Sequence, residues 1–341
     1  MSGPLKLGIS YFGNRIPWRV REDLKTIKEA GCNYIVLTFS EEDLEFYQIA
    51  FSEIIKGCHE FGLEVWMDPW AVGQVFGGET YSALIAKNLS LRQVSSQGES
   101  LPIACPNHPA FRDYLLKWAK TAKKLGADVL FWDEPHFMIY PEPEGDAIPK
   151  LWACRCDLCR EKFRKKTGQP MPERLSHEVR AFKEECLVEI TRFLCDATVE
   201  QGLKASVCLL PFENSSTVND WAKVVAIPTL WSIGTDPYWR PHQPDVEIFV
   251  GRFAKRIKEL ADKFGKEPHL WILNFNIPKG EEGNIRIAID AGYEAGIRNF
   301  AAWSYYGGAY ISIRAEDPQA VWKSLSDCYH ELLDKTGSRK G

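Results

Sequence analysis

The stretch AFRDYLLKWAKTAKKLGADVLFWDEPH, residues 110–136, contains one full step of the pattern that decides the fold. A helical segment, Ala110–Leu125, ends against Gly126, where a left-handed closing residue is wanted. A short apolar run, Val129–Trp132, then reads as a buried strand, and the acidic pair Asp133 and Glu134 follows it. Outward from this step the alternation continues in both directions. Strands are predicted at Leu5–Tyr11, Tyr34–Phe39, Glu64–Met67, Val129–Trp132, Lys204–Leu210, Leu230–Ile233, Leu270–Phe275 and Asn299–Trp303. Helices are predicted at Glu22–Ala30, Glu42–Phe61, Ala110–Leu125, Val179–Glu200, Val218–Val225, Val246–Phe264, Asn284–Ala295 and Gln319–Leu333. Eight strands, each followed by a helix, point to a closed (β/α)8 barrel. An open doubly wound sheet fits less well, because no Gly-x-Gly-x-x-Gly follows the first strand.

The chain, 1–341, is read as a single barrel domain without repeats or linkers. Two connections are unusually long, Ala71–Pro109 after the third strand and Pro135–Glu178 after the fourth, so that a loop subregion spans 71–178. Both leave the C-terminal face, where barrels of this kind keep their chemistry.

Composition narrows the partners. The chain is 45% apolar and 26% charged, with twelve Trp and a net charge of −4 spread without long like-charge blocks. That leaves no electrostatic footprint for nucleic acid or an anionic membrane, and no run reaches the roughly 20 apolar residues of a spanning helix. A soluble cytoplasmic protein is expected, with no organic cofactor and with a small molecule or neutral polymer as partner. Assembly leaves no signature in the sequence.

Of ten cysteines, six (Cys32, Cys58, Cys186, Cys195, Cys208, Cys328) sit singly inside apolar patterns, as small buried hydrophobes do. The others differ. Cys154, Cys156 and Cys159 form a C-x-C-x-x-C cluster in the second long loop, and the first supplies Cys105. Three close thiolates can wrap one zinc ion, and a fourth closes a tetrahedral structural site, which would pin the two loops together. His108 competes for the fourth place, less well because the other ligands are soft thiolates. A loop disulfide with spare thiols is the bland alternative.

The strand ends supply carboxylates and flat aromatics, a mixture suited to a saccharide. Aromatic faces stack on the apolar side of sugar rings while acids and amides take the hydroxyls. Glu134 is the candidate catalytic acid: directly after an apolar strand and beside Asp133, its pKa is open to being raised by partial burial and by the neighbouring charge. Strand alternation predicts that Asp133 and Glu134 diverge, one facing substrate and the other orienting a neighbour. Asp236, at the end of the sixth strand before Pro237, is the preferred partner carboxylate. Acids also open loops, helices and turns in ordinary ways, and Asp236 before a Pro has that reading too. Candidate substrate contacts are Tyr11, Asp68, Trp70, His136, Glu213, Tyr238, Trp239, Asn274, Asn276, Trp303 and Tyr305.

These residues resemble the barrel of family 42 β-galactosidases and related uncharacterised glycoside hydrolases of clan A. The likeness is carried by Trp132-Asp133-Glu134-Pro135, by Cys154-Arg155-Cys156-Asp157-Leu158-Cys159-Arg160-Glu161-Lys162-Phe163-Arg164, and by Cys105. It implies a TIM barrel, an acid/base role for Glu134, and a zinc-binding cysteine cluster. Two departures stand out. Asp133 occupies the place of a sugar-contacting Asn, and the seventh strand, Trp271-Ile272-Leu273-Asn274-Phe275-Asn276, lacks the Glu that serves that family as nucleophile. Strands four and six stand two steps apart, so Glu134 and Asp236 are expected at the wider separation of an inverting pair, ~6.5–9.5 Å. The leading expectation is therefore a glycoside hydrolase. Two alternatives are a carbohydrate-binding protein on a disarmed barrel, and a sugar lyase or isomerase using Asp133 or His136 as base.

Overall fold

The computed structural model describes residues 4–142 and 149–337. The second long connection, Pro135–Glu178, therefore lies partly outside the described residues. In chain order the first elements are β1 (Lys6–Tyr11), α1 (Pro17–Glu29), β2 (Tyr34–Thr38), α2 (Glu41–Phe46), α3 (Gln48–Glu60) and β3 (Glu64–Asp68). The loop region adds α4 (Ala83–Lys87), β4 (Arg92–Val94), β5 (Ser100–Ala104), α5 (Pro109–Leu125), β6 (Val129–Asp133) and α6 (Asp157–Thr167). The second half carries α7 (His177–Glu200), β7 (Lys204–Leu209), α8 (Ala222–Val225), β8 (Leu230–Thr235), α9 (Val246–Phe264), β9 (Glu267–Leu273), α10 (Gly283–Glu294), β10 (Asn299–Trp303) and α11 (Pro318–Lys335).

Eight of these strands, β1, β2, β3, β6, β7, β8, β9 and β10, close into a barrel, and every neighbouring pair in it is parallel. The architecture is a (β/α)8 TIM barrel, as the alternation predicts. Boundaries differ where local chemistry overrides the apolar pattern. α1 begins at Pro17, a residue pre-set for the first helical turn. The helix expected over Glu42–Phe61 is two helices that break at Tyr47 (φ −118, ψ 17). The segment expected over Val218–Val225 forms a helix only at Ala222–Val225.

Strand alternation divides the barrel's core in two. Outward side chains pack under the helices in one large apolar cluster. Inward ones, including Tyr34, Trp66, Phe131, Trp271 and Trp303, fill the interior with rings. Tyr34 stacks on Trp66 at 4.7 Å, and Phe131 meets Trp271 at 5.2 Å. The interior is thus a plug. No described helix is long and apolar enough to cross a membrane.

The two long loops are joined. β4 and β5 form an antiparallel hairpin in the first, and Ser95 pairs with Ala153 of the second. Arg155 N donates to Val94 O at 2.8 Å, and Ser96 N to Trp152 O at 2.8 Å.

Candidate active site

Inward parity selects what reaches the mouth. Trp66 and Asp68 share the inward side of β3, Phe131 and Asp133 that of β6, and Ser232, Gly234 and then Asp236 that of β8 and its extension. Asp133 is in register with Cys208, and Cys208 with Gly234, so the acids of β6 and β8 flank the β7 thiol. The Cys208 thiol donates toward Asp236 Oδ1 at 3.8 Å and also contacts Asp133.

Glu134 lies just beyond β6 with a left-handed backbone, φ 48, which is unusual for a residue with a Cβ and is found where surrounding contacts over-determine it. Here Glu134 N donates to Cys208 O at 3.1 Å, and the His136 ring donates from Nδ1 to Glu134 O at 2.6 Å. The left-handed turn breaks the strand's alternation. Asp133 and Glu134 do not diverge: both line one cavity of about 70 Å³ with Gly77, Glu79, Asp236, Tyr238, Trp271, Phe275 and Trp303. A Cβ at Gly77 would lie 2.4 Å from Asp133 Oδ2 and 2.9 Å from Glu134 Oε2, so only glycine lets the loop backbone close over the two acids.

Glu134 and Asp236 are hydrogen-bonded to each other through their carboxyl groups. Burial, then the charge of Asp236 and the hydrogen bond donated to it, hold the Glu134 pKa well above the usual carboxylate range. Burial pushes Asp236 up to about 7, opposed by the hydrogen bond it accepts from Glu134. Burial thus favours the protonated form of both carboxyls, and more strongly at Glu134. The wide separation expected from two intervening barrel steps is not found, because both side chains lean inward over Cys208 and meet. Asp133 is raised by burial and by Glu134.

A larger cavity of about 910 Å³ adjoins this one, with Glu79 lining both. Its walls include Tyr11, Phe12, Trp70, Tyr305, Tyr306 and Tyr310. Asp23 of α1 fixes two of these rings, accepting from Tyr11 Oη at 2.6 Å and from Tyr305 Oη at 3.1 Å. Phe12 packs between Trp70 at 5.0 Å and Trp303 at 5.2 Å, and Trp70 Nε1 donates to Glu79 at 3.2 Å.

No protein-family model and no curated protein sequence matches the chain. Solved structures do match its fold. The GH5_18 protein from Streptomyces cattleya aligns at a TM-score of 0.59 with 11% identity, over 97% of this chain and 81% of that one. The endo-β-1,4-mannanase from Thermotoga petrophila aligns at 0.55 with 11% identity, over 99% and 78% of the two chains. The 3-keto-D-glucoside 4-epimerase from E. coli aligns at 0.52 with 12% identity, over 96% and 99%. At such identities the likeness is one of fold.

The four predicted metal ligands converge. Sulfurs of Cys105, Cys154, Cys156 and Cys159 all lie within 4.8 Å of one another, with Cys105 3.5 Å from Cys159 and 3.7 Å from Cys156. These spacings fit the edges of a tetrahedron, about 3.8 Å, around an ion with bonds of about 2.3 Å to sulfur. They are far beyond the roughly 2.05 Å of a disulfide, and all four cysteines are free. Val94 N and Asn107 Nδ2 donate to Cys154 and Cys159 at 3.4 and 3.3 Å, the outer support such ligands need. His108 instead caps α5, accepting from Ala110 N at 3.2 Å.

Several predicted contacts lie elsewhere. Asp68 is 0% exposed and is not among the cavity's lining residues, with neither carboxylate oxygen hydrogen-bonded. Trp239 is core, 3% exposed. Asn274 is buried and donates to Ser304 O at 2.8 Å, and Asn276 is exposed on the loop, its N donating to Ile313 O. His136 braces the Glu134 backbone and is not among the cavity's lining residues. Glu213 lines a separate groove. The sequence reading also missed Glu79, Gly77 and Asp23. The Gly-Gly pair before Glu79 marks a close approach, whereas Asp23 leaves no sign within a helix.

Proposed function

We propose that this protein acts on carbohydrate, and that its reaction is glycoside hydrolysis with Glu134 as general acid. The observation that carries the reading is the carboxyl pair: Glu134, its pKa held well above the usual carboxylate range, lines one cavity with Asp236, and that cavity adjoins a wall of aromatic rings. Protonating a leaving glycosidic oxygen needs an acid that keeps its proton near neutrality, and burial beside a second carboxylate supplies one. Asp236 holds and tunes that proton. The second carboxylate is then Glu79, which reaches both cavities from the rim and is steadied by the Trp70 indole. The aromatic wall stacks on sugar rings that extend from the acids, and Asp133, beside the acid, takes a hydroxyl.

The resemblance of the cysteine motif to family 42 supports this reading, as does the fold shared with an endo-β-1,4-mannanase. The cluster Cys105, Cys154, Cys156 and Cys159 is proposed to hold zinc as scaffolding, since four protein ligands leave no position open for substrate.

Glu134→Gln is expected to lower turnover of unactivated oligosaccharides by about 10²–10⁴ while the protein stays folded. Aryl glycosides with a good leaving group, which need little protonation, should lose much less. Unchanged hydrolysis of unactivated substrates would overturn the assignment. One observation favours a second reading: direct contact of the pair and the lack of a carboxylate at the end of β9 suit proton transfer at a sugar carbon, as in an isomerase or lyase. An isomerised or unsaturated product would select it.

A further inference from the structure

Beyond Tyr238 the acidic cavity gives way to a groove of opposite character. Tyr238 lines both, and the groove, about 770 Å³, is bordered by Arg240, Gln243, Arg252 and Arg256, with Glu213 as its one acidic lining residue. Two of the arginines come from one face of α9, where Phe249, Arg252, Phe253 and Arg256 recur at helical spacing. They are held by rings and a carbonyl. The Arg256 guanidinium sits 4.0 Å over Trp221 and donates to Asn219 O at 2.9 Å, and that of Arg252 lies 4.6 Å over Phe253. Among the described residues no carboxylate forms an ion pair with Arg240, Arg252 or Arg256, although this chain has more acidic than basic residues, 46 against 42.

Permanently charged guanidinium forks, unpaired around a cavity next to a carboxylate centre, match a planar or tetrahedral oxyanion. An anion on the substrate would be repelled by Asp236 where it is ionised and attracted one step away, past the Tyr238 ring. We propose that this groove is the subsite for an oxyanion carried by the sugar, so that the substrate is an acidic saccharide with its carboxylate, sulfate or phosphate seated among Arg240, Arg252 and Arg256. This rests on the carbohydrate reading above and adds the substrate's charge.

The test is calorimetric binding to the intact protein of three neutral trisaccharides, cellotriose, mannotriose and galactotriose, against their C6-oxidised uronate, 6-sulfate and 6-phosphate counterparts. At least one anionic form is expected to bind about tenfold or more tighter than its neutral parent at low salt, and to lose much of that margin at high salt. The form that gains most identifies the source of the oxyanion. In the Arg240→Gln/Arg252→Gln double variant, at exposed positions, the preference should fall to within about twofold, with Lys at both positions restoring part of it. Equal affinity for charged and neutral members, a preference that survives in the double variant, or no binding in any arm overturns the proposal. Hydrolysis is scored separately in the same samples, so that preferential binding without turnover would count against the role of Glu134 and leave the groove standing.

Discussion

Burial raises the pKa of both Glu134 and Asp236, and Asp236 gives the protein a pH response that reaches toward neutrality. Its pKa rises from 3.8 to about 7 chiefly through burial. A carboxyl whose folded pKa is raised binds its proton more tightly when folded. Its stabilisation is therefore complete below about pH 4, the unfolded value, and is lost as pH rises toward 7. The charged form above pH 7 costs on the order of a few kcal/mol. Asp236→Asn removes that cost while its amide oxygen can still accept from Glu134. The variant is expected to melt several degrees above the parent at pH 8, with the gap clearly smaller at pH 5. Thermal unfolding at the two pH values checks this, and an equal gap at both would mean that Asp236 does not titrate as described. Kinetics offer a second view of the pair. Activity should fall at higher pH as Glu134 gives up its proton, and in the Asn variant, which lacks the raising charge of Asp236, that fall should come at lower pH. A falling limb at the same pH in both proteins would show that Asp236 does not tune the acid.

At the scale of elements, the hairpin of β4 and β5 and the Ala153–Cys159 segment form one unit around the four sulfurs, and the preceding turn carries Gly77 and Glu79 into the cavity. Purified protein is expected to contain about one equivalent of zinc per chain, and less than about half would refute the site. Stripping the metal, or Cys154→Ser, should speed hydrogen exchange across Arg92–Ala104 and lower activity while leaving the barrel strands protected. Uniform loosening of the barrel would show that the unit is not separate. Much of this was legible in sequence. C-x-C-x-x-C marked three of the converging cysteines because its spacing is local, Cys105 stood out as the cysteine of the other long loop, and helices ending in glycine marked the strands. Direction was harder. Parity along β8, counted inward from Ser232, puts Asp236 in the mouth. Beyond that residue the chain leaves the strand, parity lapses, and Trp239 turns to the core. The left-handed Glu134 also escaped, because nothing in Asp-Glu-Pro states which way the turn will go. Glu79 and the arginine groove arise from chain segments that only the closed barrel brings together.

At the scale of the whole molecule, the barrel keeps its shape through an interior crowded with rings, and it fits two of them, Tyr34 and His269, by placing glycine opposite. A Cβ on Gly8 of β1 would stand 2.3 Å from the Tyr34 ring, and one on Gly234 of β8 would stand 2.1 Å from His269 Nε2. Neither ring has room to retreat. Tyr34 stacks on Trp66 and donates to Asn299 Oδ1 at 2.9 Å, while His269 is 0% exposed, bonded to Ser232 Oγ at 2.9 Å and set against Trp66 and Phe131. Overpacking a filled core costs about 1–3 kcal/mol or more, so Gly8→Ala and Gly234→Ala should each lower the urea midpoint clearly. Gly283→Ala, at the start of α10 where a Cβ meets nothing within 4 Å, should leave it within about 0.5 kcal/mol or raise it. The two interior variants should also differ from each other. Gly234 lies two residues below Asp236, so its displacement reaches the Glu134 pair and should reduce turnover even in protein that remains folded. Gly8 lies at the far side of the plug, with Tyr329 Oη donating to its carbonyl at 2.9 Å, and its substitution should cost stability first. Equal urea midpoints for Gly8→Ala and Gly283→Ala would show that the interior is loose enough to take another methyl group, and the plug would then no longer account for the rigidity of the mouth above it.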